Sequence, residues 1–211
     1  MTPLTTLLGG HRVIPVIVID DAAHAPPLAD ALVRGGLPIA EITFRTAAAP
    51  DALRSLAGRD DLVAGAGSVR TADQVDEAVA AGARFVVSPG LSERVVERCR
   101  EHGVPVVPGV ATASEIMRAL DLGVDVVKLF PAAAVGGPGA VRDLSGPFPA
   151  VRFVPTGGVG PANLGEYLSL PSVVAVGGSW MVAGALVRSG RFDAVERSVA
   201  EAVAAAGAVA R

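Results

Sequence analysis

The sequence predicts an α/β protein built as a single (β/α)8 TIM barrel, one domain that spans residues 1–211. Short runs rich in Val and Ile alternate with helical patterns at intervals of about twenty to twenty-six residues. No linker or shift in composition divides the chain, and its 211 residues suit one such domain. The eight β-rich runs are Val13–Asp20, Ile39–Arg45, Leu62–Val69, Phe85–Gly90, Pro105–Val110, Val126–Ala132, Arg152–Val159 and Val173–Met181.

Each apolar run is predicted to be a strand, because continuous Val and Ile are typical of strands buried on both faces of a parallel sheet. The segments between the runs carry helix signals. Residues 71–74 (TADQ) and 112–115 (TASE) have the capping-box pattern. C-terminal stops are expected at four glycines, Gly35, Gly82, Gly103 and Gly123. Helices that return the chain to the next parallel strand make right-handed crossovers, and eight such units favour a barrel.

An open, doubly wound sheet is the alternative architecture. It would need a glycine fingerprint directly after the first strand. Residues 19–27 follow that strand with the sequence IDDAAHAPP, which contains none. The barrel interpretation places an active site at the carboxyl ends of the strands.

Composition argues against several classes of partner. The formal net charge is −3 and no basic block occurs, so no nucleic-acid partner is expected. The first residues do not resemble a signal peptide, which predicts a cytoplasmic protein. Residues 168–187 carry no charge, but Pro171 and several glycines favour a turn, a strand and a loop over a membrane helix. The lone cysteine, Cys99, is interpreted as a structural thiol in a helix over Ser92–His102.

Lys128 is the only lysine in the chain and lies within the apolar run Val126–Ala132, the sixth predicted strand. Burial disfavours the charged form of an amine, and a neutral lysine amine is a nucleophile, whereas arginine stays charged. Schiff-base formation with a carbonyl substrate is the chemistry that uses such an amine. The alternative is a lysine at a strand end that reaches water or pairs with a carboxylate.

The second predicted strand places three polar residues on one face, Glu41, Thr43 and Arg45, because side chains alternate along a strand. If Ile42 and Phe44 pack outward against helices, the polar side chains point into the barrel. Strands two and six are both even-numbered, so Glu41 can approach Lys128 and act as a proton shuttle. The alternative is an ion pair, with Arg45 or with Lys128, that only neutralises buried charge.

Two further residues near the strand ends are candidates for substrate binding. Arg45 ends the second strand and suits bidentate recognition of a carboxylate, the alternative being a salt bridge at the rim. Ser68 ends the sequence GAGS, where glycines keep the backbone slim beside its hydroxyl group, although Gly-Ser is also ordinary turn chemistry.

Paired glycines follow the last two predicted strands, in Pro155–Val159 (PTGGV) and in Gly177–Ser179 (GGS). Glycine lets backbone N–H groups approach an anion closely, and a following helix N-terminus favours negative charge. The loops after strands seven and eight of a barrel are a frequent phosphate site. The sequence therefore predicts phosphate binding there.

The remaining polar candidates do not form a site. His11, His24 and His102 lie away from the carboxyl ends of the predicted strands, so neither a histidine metal site nor a catalytic triad is expected. Asp20 and Asp21 follow the first strand and are explained at least as well by capping of the next helix.

Seven motifs in one order give the chain a strong resemblance to a known family: EITFRT, GAGSV, SPGL, PGVATASE, KLFPA, PTGGV and GGSW. The chain resembles the bifunctional 2-keto-3-deoxy-6-phosphogluconate (KDPG) and 4-hydroxy-2-oxoglutarate (KHG) aldolases, class I enzymes of the Entner–Doudoroff pathway. The resemblance covers nearly the whole chain. It implies a homotrimer that uses no metal or organic cofactor.

The resemblance also implies a role for each candidate residue. Lys128 would form the Schiff base with the C2 carbonyl of the pyruvyl group, and Glu41 would shuttle protons. Arg45 would bind the pyruvate carboxylate and Ser68 would contact pyruvate, with Pro89 of SPGL also in the substrate site. Thr156 would orient the aldehyde portion. The phosphate ligands would be Gly157, Gly158, Gly178 and Ser179.

The implied reaction is reversible cleavage of KDPG to pyruvate and glyceraldehyde 3-phosphate, with cleavage of KHG to pyruvate and glyoxylate as a second activity. Relatives often have threonine at Ser68, where the hydroxyl group is kept and the expected contact with pyruvate is weakened. They commonly have glutamate at Ala133, and its absence here leaves the aldehyde preference open. One alternative is an aldolase for the galactonate-derived epimer or mainly for unphosphorylated KHG. Others are a phosphosugar isomerase or epimerase, whose metal-dependent forms need strand-end histidines, and a catalytically silent phosphate-binding barrel.

Overall fold

Short parallel strands alternate with helices along the whole computed structural model, which describes residues 4–8 and 10–209. The strands are β1 (Val13–Ile17), β2 (Ile39–Thr43), β3 (Val63–Gly67), β4 (Val86–Val87), β5 (Val106–Val107), β6 (Gly109–Val110), β7 (Val126–Leu129), β8 (Arg152–Phe153) and β9 (Val176–Gly178). The α/β class and the parallel direction predicted from the sequence are confirmed.

The helices lie between these strands and after the last one. The α-helices are α1 (Leu4–Leu7), α2 (Ala25–Arg34), α3 (Ala49–Ser55), α4 (Ala72–Ala80), α5 (Glu93–Glu101), α6 (Ala113–Asp121), α7 (Gly137–Ser145), α8 (Leu164–Leu168), α9 (Gly184–Arg188) and α10 (Phe192–Gly207). Two short 3₁₀ helices cover Ala22–His24 and Trp180–Val182.

The strands form two hydrogen-bonded sheets rather than one continuous ladder. The larger has the order β5-β4-β3-β2-β1-β9, and the smaller has the order β6-β7-β8. The fifth predicted run is divided at Pro108, which has no N–H to donate, so β5 pairs with β4 and β6 pairs with β7. Isolated parallel bridges join Phe153 to Val173 and Thr156 to Gly177, between β8 and the approach to β9.

The alternation along β2 sorts its side chains between two apolar clusters. Ile42 and Phe44 belong to the large cluster that joins the strands to the helices, as predicted. Ile39 has the same parity as Glu41 and belongs to a smaller cluster, whose buried residues lie in strands or next to them apart from Leu8. Lys128 likewise alternates with Val127 and Leu129, which lie in the large cluster. Glu41 and Lys128 therefore project away from the helices.

Local signals place most helix ends as expected. The capping box at Thr112 is complete, whereas at Thr71 only the threonine half forms, because the Gln74 side chain accepts from the N–H of Arg70 instead. Helix α2 ends at Arg34 with Gly35 as its C-cap, as predicted, and the left-handed φ of 82° falls on the next residue, Gly36. Helix α5 lies within the range predicted for it, Ser92–His102, and buries Cys99, although its N-cap residue Ser92 makes no side-chain capping hydrogen bond.

Residues 168–187 contain the end of α8, a turn and β9, in agreement with the turn and strand predicted there, but the predicted loop contains the second 3₁₀ helix and most of α9. No helix among the described residues has both the length and the hydropathy needed to cross a membrane.

Candidate active site

The amine of Lys128 and the carboxylate of Glu41 face each other in the interior. Lys128 Nζ lies 3.7 Å from Glu41 Oε1, and each residue is only 2% exposed. Glu41 Oε1 has no hydrogen-bond partner among the described residues. Lys128 Nζ also lies 5.1 Å from the centroid of the Phe130 ring, a cation–π distance. An amine and a carboxylate so placed can act as a nucleophile and a proton shuttle.

Gly67 makes the space that the Glu41 carboxylate occupies. Strand β3 pairs with β2 so that Gly65 lies opposite Glu41 and Gly67 opposite Thr43. A Cβ placed on Gly67 would lie 2.1 Å from Glu41 Oε1. The slim backbone of GAGS is apparent from the sequence beside Ser68, but the space that Glu41 requires at Gly67 is not. Thr43 has a structural role, since its hydroxyl donates to the carbonyl of Ile17 at 2.8 Å.

Arg45 and Ser68 meet at the carboxyl ends of β2 and β3. Arg45 Nε donates to Ser68 Oγ at 2.8 Å, a contact with a hydroxyl rather than the rim salt bridge considered as an alternative. Ser68 is 7% exposed and has a φ of 58°, the only left-handed value for a non-glycine residue in the described chain. Such backbone strain is typical of functional sites, and here it turns the hydroxyl toward Arg45.

The two predicted glycine pairs are brought together by the bridge between Thr156 and Gly177. A Cβ at Gly177 would lie 2.4 Å from Thr156 Oγ1, so the threonine packs on bare backbone. Gly157 and Gly158 have left-handed φ values of 93° and 78°. We call Thr156–Gly160 together with Gly177–Ser179 the glycine cradle.

The segment after Lys128 is attached to the glycine cradle by backbone hydrogen bonds. Ala132 N donates to Thr156 O at 2.8 Å, and Ala133 N donates to Gly157 O at 3.0 Å. The amine and the cradle therefore lie on neighbouring strand ends, β7 and β8. Pro89 lies on the other side of β7, since its carbonyl fills the position that a Cβ of Gly109 would take, and Gly109 pairs with Lys128.

The aspartates and histidines that the sequence does not place in the site make contacts in other parts of the structure. Asp21 accepts from Ala23 N at 2.9 Å and so caps the first 3₁₀ helix, as predicted. Asp20 lies 3.7 Å from Arg188, His24 packs against Phe192, and His102 contacts Asp76. Within residues 4–8 and 10–209, no group of three potential metal-ligating side chains occurs.

The chain matches known proteins along most of its length. The family model described as "KDPG and KHG aldolase" matches residues 5–198. The chain belongs to this aldolase family. Its members are lyases, and the resemblance inferred from the motifs is confirmed.

Relatives match over almost their full length. The 2-dehydro-3-deoxy-phosphogluconate aldolase of Treponema pallidum is 49% identical over 87% of this chain and 88% of the relative. The KHG/KDPG aldolase of Escherichia coli K12 is 42% identical over 96% and 95%. The KDPG aldolase of Legionella pneumophila, solved with pyruvate captured as a covalent carbinolamine, is 41% identical with a TM-score of 0.92, over 96% and 98%.

Proposed function

We propose that this protein is a class I aldolase that reversibly cleaves KDPG to pyruvate and glyceraldehyde 3-phosphate through a Schiff base on Lys128. The observation that carries the proposal is the buried amine of Lys128, 3.7 Å from the buried carboxylate of Glu41. The aldolase names of the relatives and the carbinolamine of the Legionella enzyme support the same chemistry.

The reaction begins when Glu41 takes a proton from Lys128. The neutral amine then attacks the C2 carbonyl of the substrate, and one proton moves from the nitrogen to the carbonyl oxygen to form a carbinolamine. Glu41 gives a proton to the departing hydroxyl group, water leaves, and an iminium ion remains. The Glu41 carboxylate then takes the proton of the C4 hydroxyl group. The C3–C4 bond breaks, its electron pair moves into the iminium, and the aldehyde leaves. Glu41 returns the proton to C3 of the enamine, and hydrolysis of the imine releases pyruvate.

The substrate lies between Arg45 and the glycine cradle. The Arg45 guanidinium, with Ser68 beside it, binds the carboxylate of the pyruvyl group. Thr156 orients the aldehyde portion, and Pro89 lines the substrate site. The phosphate is bound by Gly157, Gly158, Gly178 and Ser179. Left-handed φ values at Gly157 and Gly158, and the closeness of the two glycine pairs, support this assignment.

We further propose that residues 1–211 form one domain whose two sheets close into a single eight-stranded barrel. The isolated bridges at Phe153 and Thr156, and the continuity of β5 with β6, support closure. A cytoplasmic homotrimer is the assembly implied by the family resemblance. Light scattering tests the trimeric state, and a monomeric mass would contradict it.

Borohydride trapping with pyruvate, followed by peptide mass mapping, tests the proposed function. We expect one reduced pyruvyl adduct on Lys128 and none in Lys128→Arg, which should lose cleavage but keep its fold. Absence of the adduct in folded wild-type protein would contradict the aldolase proposal. It would favour a phosphosugar isomerase or a phosphate-binding barrel without catalytic activity.

Kinetics on three substrates then define the specificity. We propose that KDPG is the preferred substrate and that KHG is cleaved to pyruvate and glyoxylate more weakly, since the cradle adds binding energy only for a phosphate. A higher kcat/KM on the galactonate-derived epimer would assign the chain to the sister reaction instead.

A further inference from the structure

Asn163 binds the phosphate loop of the glycine cradle through both atoms of its side-chain amide. Its Nδ2 donates to the carbonyl of Gly158 at 2.9 Å, and its Oδ1 accepts from Gly160 N at 2.9 Å. The residue stands at the start of α8, where an asparagine commonly caps the helix, but its side chain makes no capping hydrogen bond. The Asn163 amide therefore serves the loop instead of the helix.

The clamped carbonyls determine where the neighbouring N–H groups point. A trans peptide is planar, with its C=O and the following N–H on opposite sides. Ala133 N holds the carbonyl of Gly157, which fixes the N–H of Gly158. Asn163 holds the carbonyl of Gly158, which fixes the N–H of Val159. Among the described residues, no hydrogen bond uses either N–H group.

The loop needs such clamps because its residues have little conformational preference of their own. Gly157 and Gly158 both take left-handed φ values. At Gly158 the Ala133 methyl group lies 2.4 Å from the position of a Cβ, so no side chain can stiffen the backbone there. Two successive N–H groups on one side of such a loop form an anion-binding concavity.

We infer that Asn163 is a positioning residue for the phosphate of the substrate, an inference that rests on the proposed phosphate site. Asn163 acts through the peptide between Gly158 and Val159 and touches no reacting atom. It lowers the KM of phosphorylated substrates and leaves imine formation at Lys128 unaffected. No other residue of the described chain hydrogen-bonds the carbonyl of Gly158.

Two variants at this position test the inference. Asn163→Asp keeps the acceptor for Gly160 N but removes the donor to Gly158 O, and Asn163→Ala removes both. Loss of one such hydrogen bond should raise the KM for KDPG and the inhibition constant of inorganic phosphate about 3- to 10-fold. The rate of pyruvate trapping by borohydride should stay at the wild-type value. Ser169→Ala, on the surface after the same helix, is the matched control and should change neither.

Each outcome decides a separate point. Unchanged phosphate inhibition in both variants would overturn the positioning role while leaving the aldolase proposal intact. An equal loss of pyruvate trapping would show a general structural role and also overturn it. If inorganic phosphate fails to inhibit the wild-type enzyme, the cradle assignment and this inference both fail. If wild-type protein forms no pyruvate adduct, the proposed function itself fails.

Discussion

The carboxylate of Glu41 fills the space that a side chain at Gly67, on the neighbouring strand, would need: a Cβ on Gly67 would lie 2.1 Å from Glu41 Oε1. The carboxylate can stand beside Lys128 only because β3 has no side chain at this point. A glycine that appears in sequence as part of a turn therefore makes room for the carboxylate that we propose as the proton shuttle.

Gly67→Ala should displace the Glu41 carboxylate and so reduce kcat about 100-fold or more, since a misplaced acid–base group loses most of its effect. Overpacking in this interior should also lower the free energy of unfolding by about 1–3 kcal/mol. Steady-state kinetics and chemical denaturation measure the two effects. Gly90→Ala, whose added Cβ would meet nothing within 4 Å, is the control. Wild-type kcat in Gly67→Ala would contradict the requirement for space.

Glu41→Gln should preserve the shape of the site but remove proton transfer. We expect kcat to fall about 10²- to 10⁴-fold, the usual contribution of general acid–base catalysis. The pyruvate imine should still be detectable by borohydride trapping, although it forms more slowly. Wild-type turnover would show that another group moves the protons.

Arg45→Lys keeps the positive charge but loses both the fork geometry and the Nε that donates to Ser68. We expect the KM for pyruvate in the synthetic direction to rise about 10- to 100-fold, as for one charge-assisted hydrogen bond. Arg54→Lys, in an exposed ion pair with Asp51, should have no effect and serves as the control. An unchanged KM would argue that Arg45 does not bind the carboxylate.

Cys99 should be inert in the folded protein. It is fully buried, and desolvation raises the pKa of its thiol to about 12, so little thiolate exists at pH 8. An aromatic disulfide reagent should release one equivalent of thiolate in denaturant and essentially none from native protein. Rapid reaction of native protein would contradict the burial of this thiol.

The cluster of Asp76, Arg98 and His102 should make stability depend on pH. Hydrogen bonds from Arg98, and then from His102, lower the pKa of Asp76 from 3.8 to about 2. The contribution of Asp76 to the free energy of unfolding is complete above its unfolded-state pKa and is lost as the pH falls through its folded-state pKa. Asp76→Asn should therefore have a lower Tm than wild type at pH 7, and the difference should shrink between about pH 4 and pH 2. A constant difference would contradict this linkage.

The sequence allowed the strands, the parallel direction and the facing of Glu41 toward Lys128 to be predicted, because each follows from local alternation and chain order. Alternation along the second strand also predicts correctly that Ile42 and Phe44 pack against the helices. The sequence also predicts one continuous sheet of eight strands, whereas the structure has two hydrogen-bonded sheets. The fifth run is divided at Pro108 because its first half pairs with β4 and its second half with β7. This pairing depends on distant parts of the chain and not on the local sequence.

The parts of the site that the sequence analysis missed depend on close approach between distant segments. The fit of Gly67 to Glu41 requires the register of β2 against β3, which alternation alone does not fix. The double contact of Asn163 arises because a helix-start residue faces back onto the preceding loop. The left-handed backbone of Ser68 had no sequence signal, since serine seldom adopts it.

The single buried lysine gives the proposed active site a spectroscopic label of its own. Protein prepared with isotopically labelled lysine would carry its label at Lys128 alone, because the chain contains no other lysine. One side-chain resonance would then report the ionisation of the amine, the arrival of pyruvate and the conversion to an imine. The covalent steps proposed at Lys128 can therefore be followed without assignment of the rest of the spectrum.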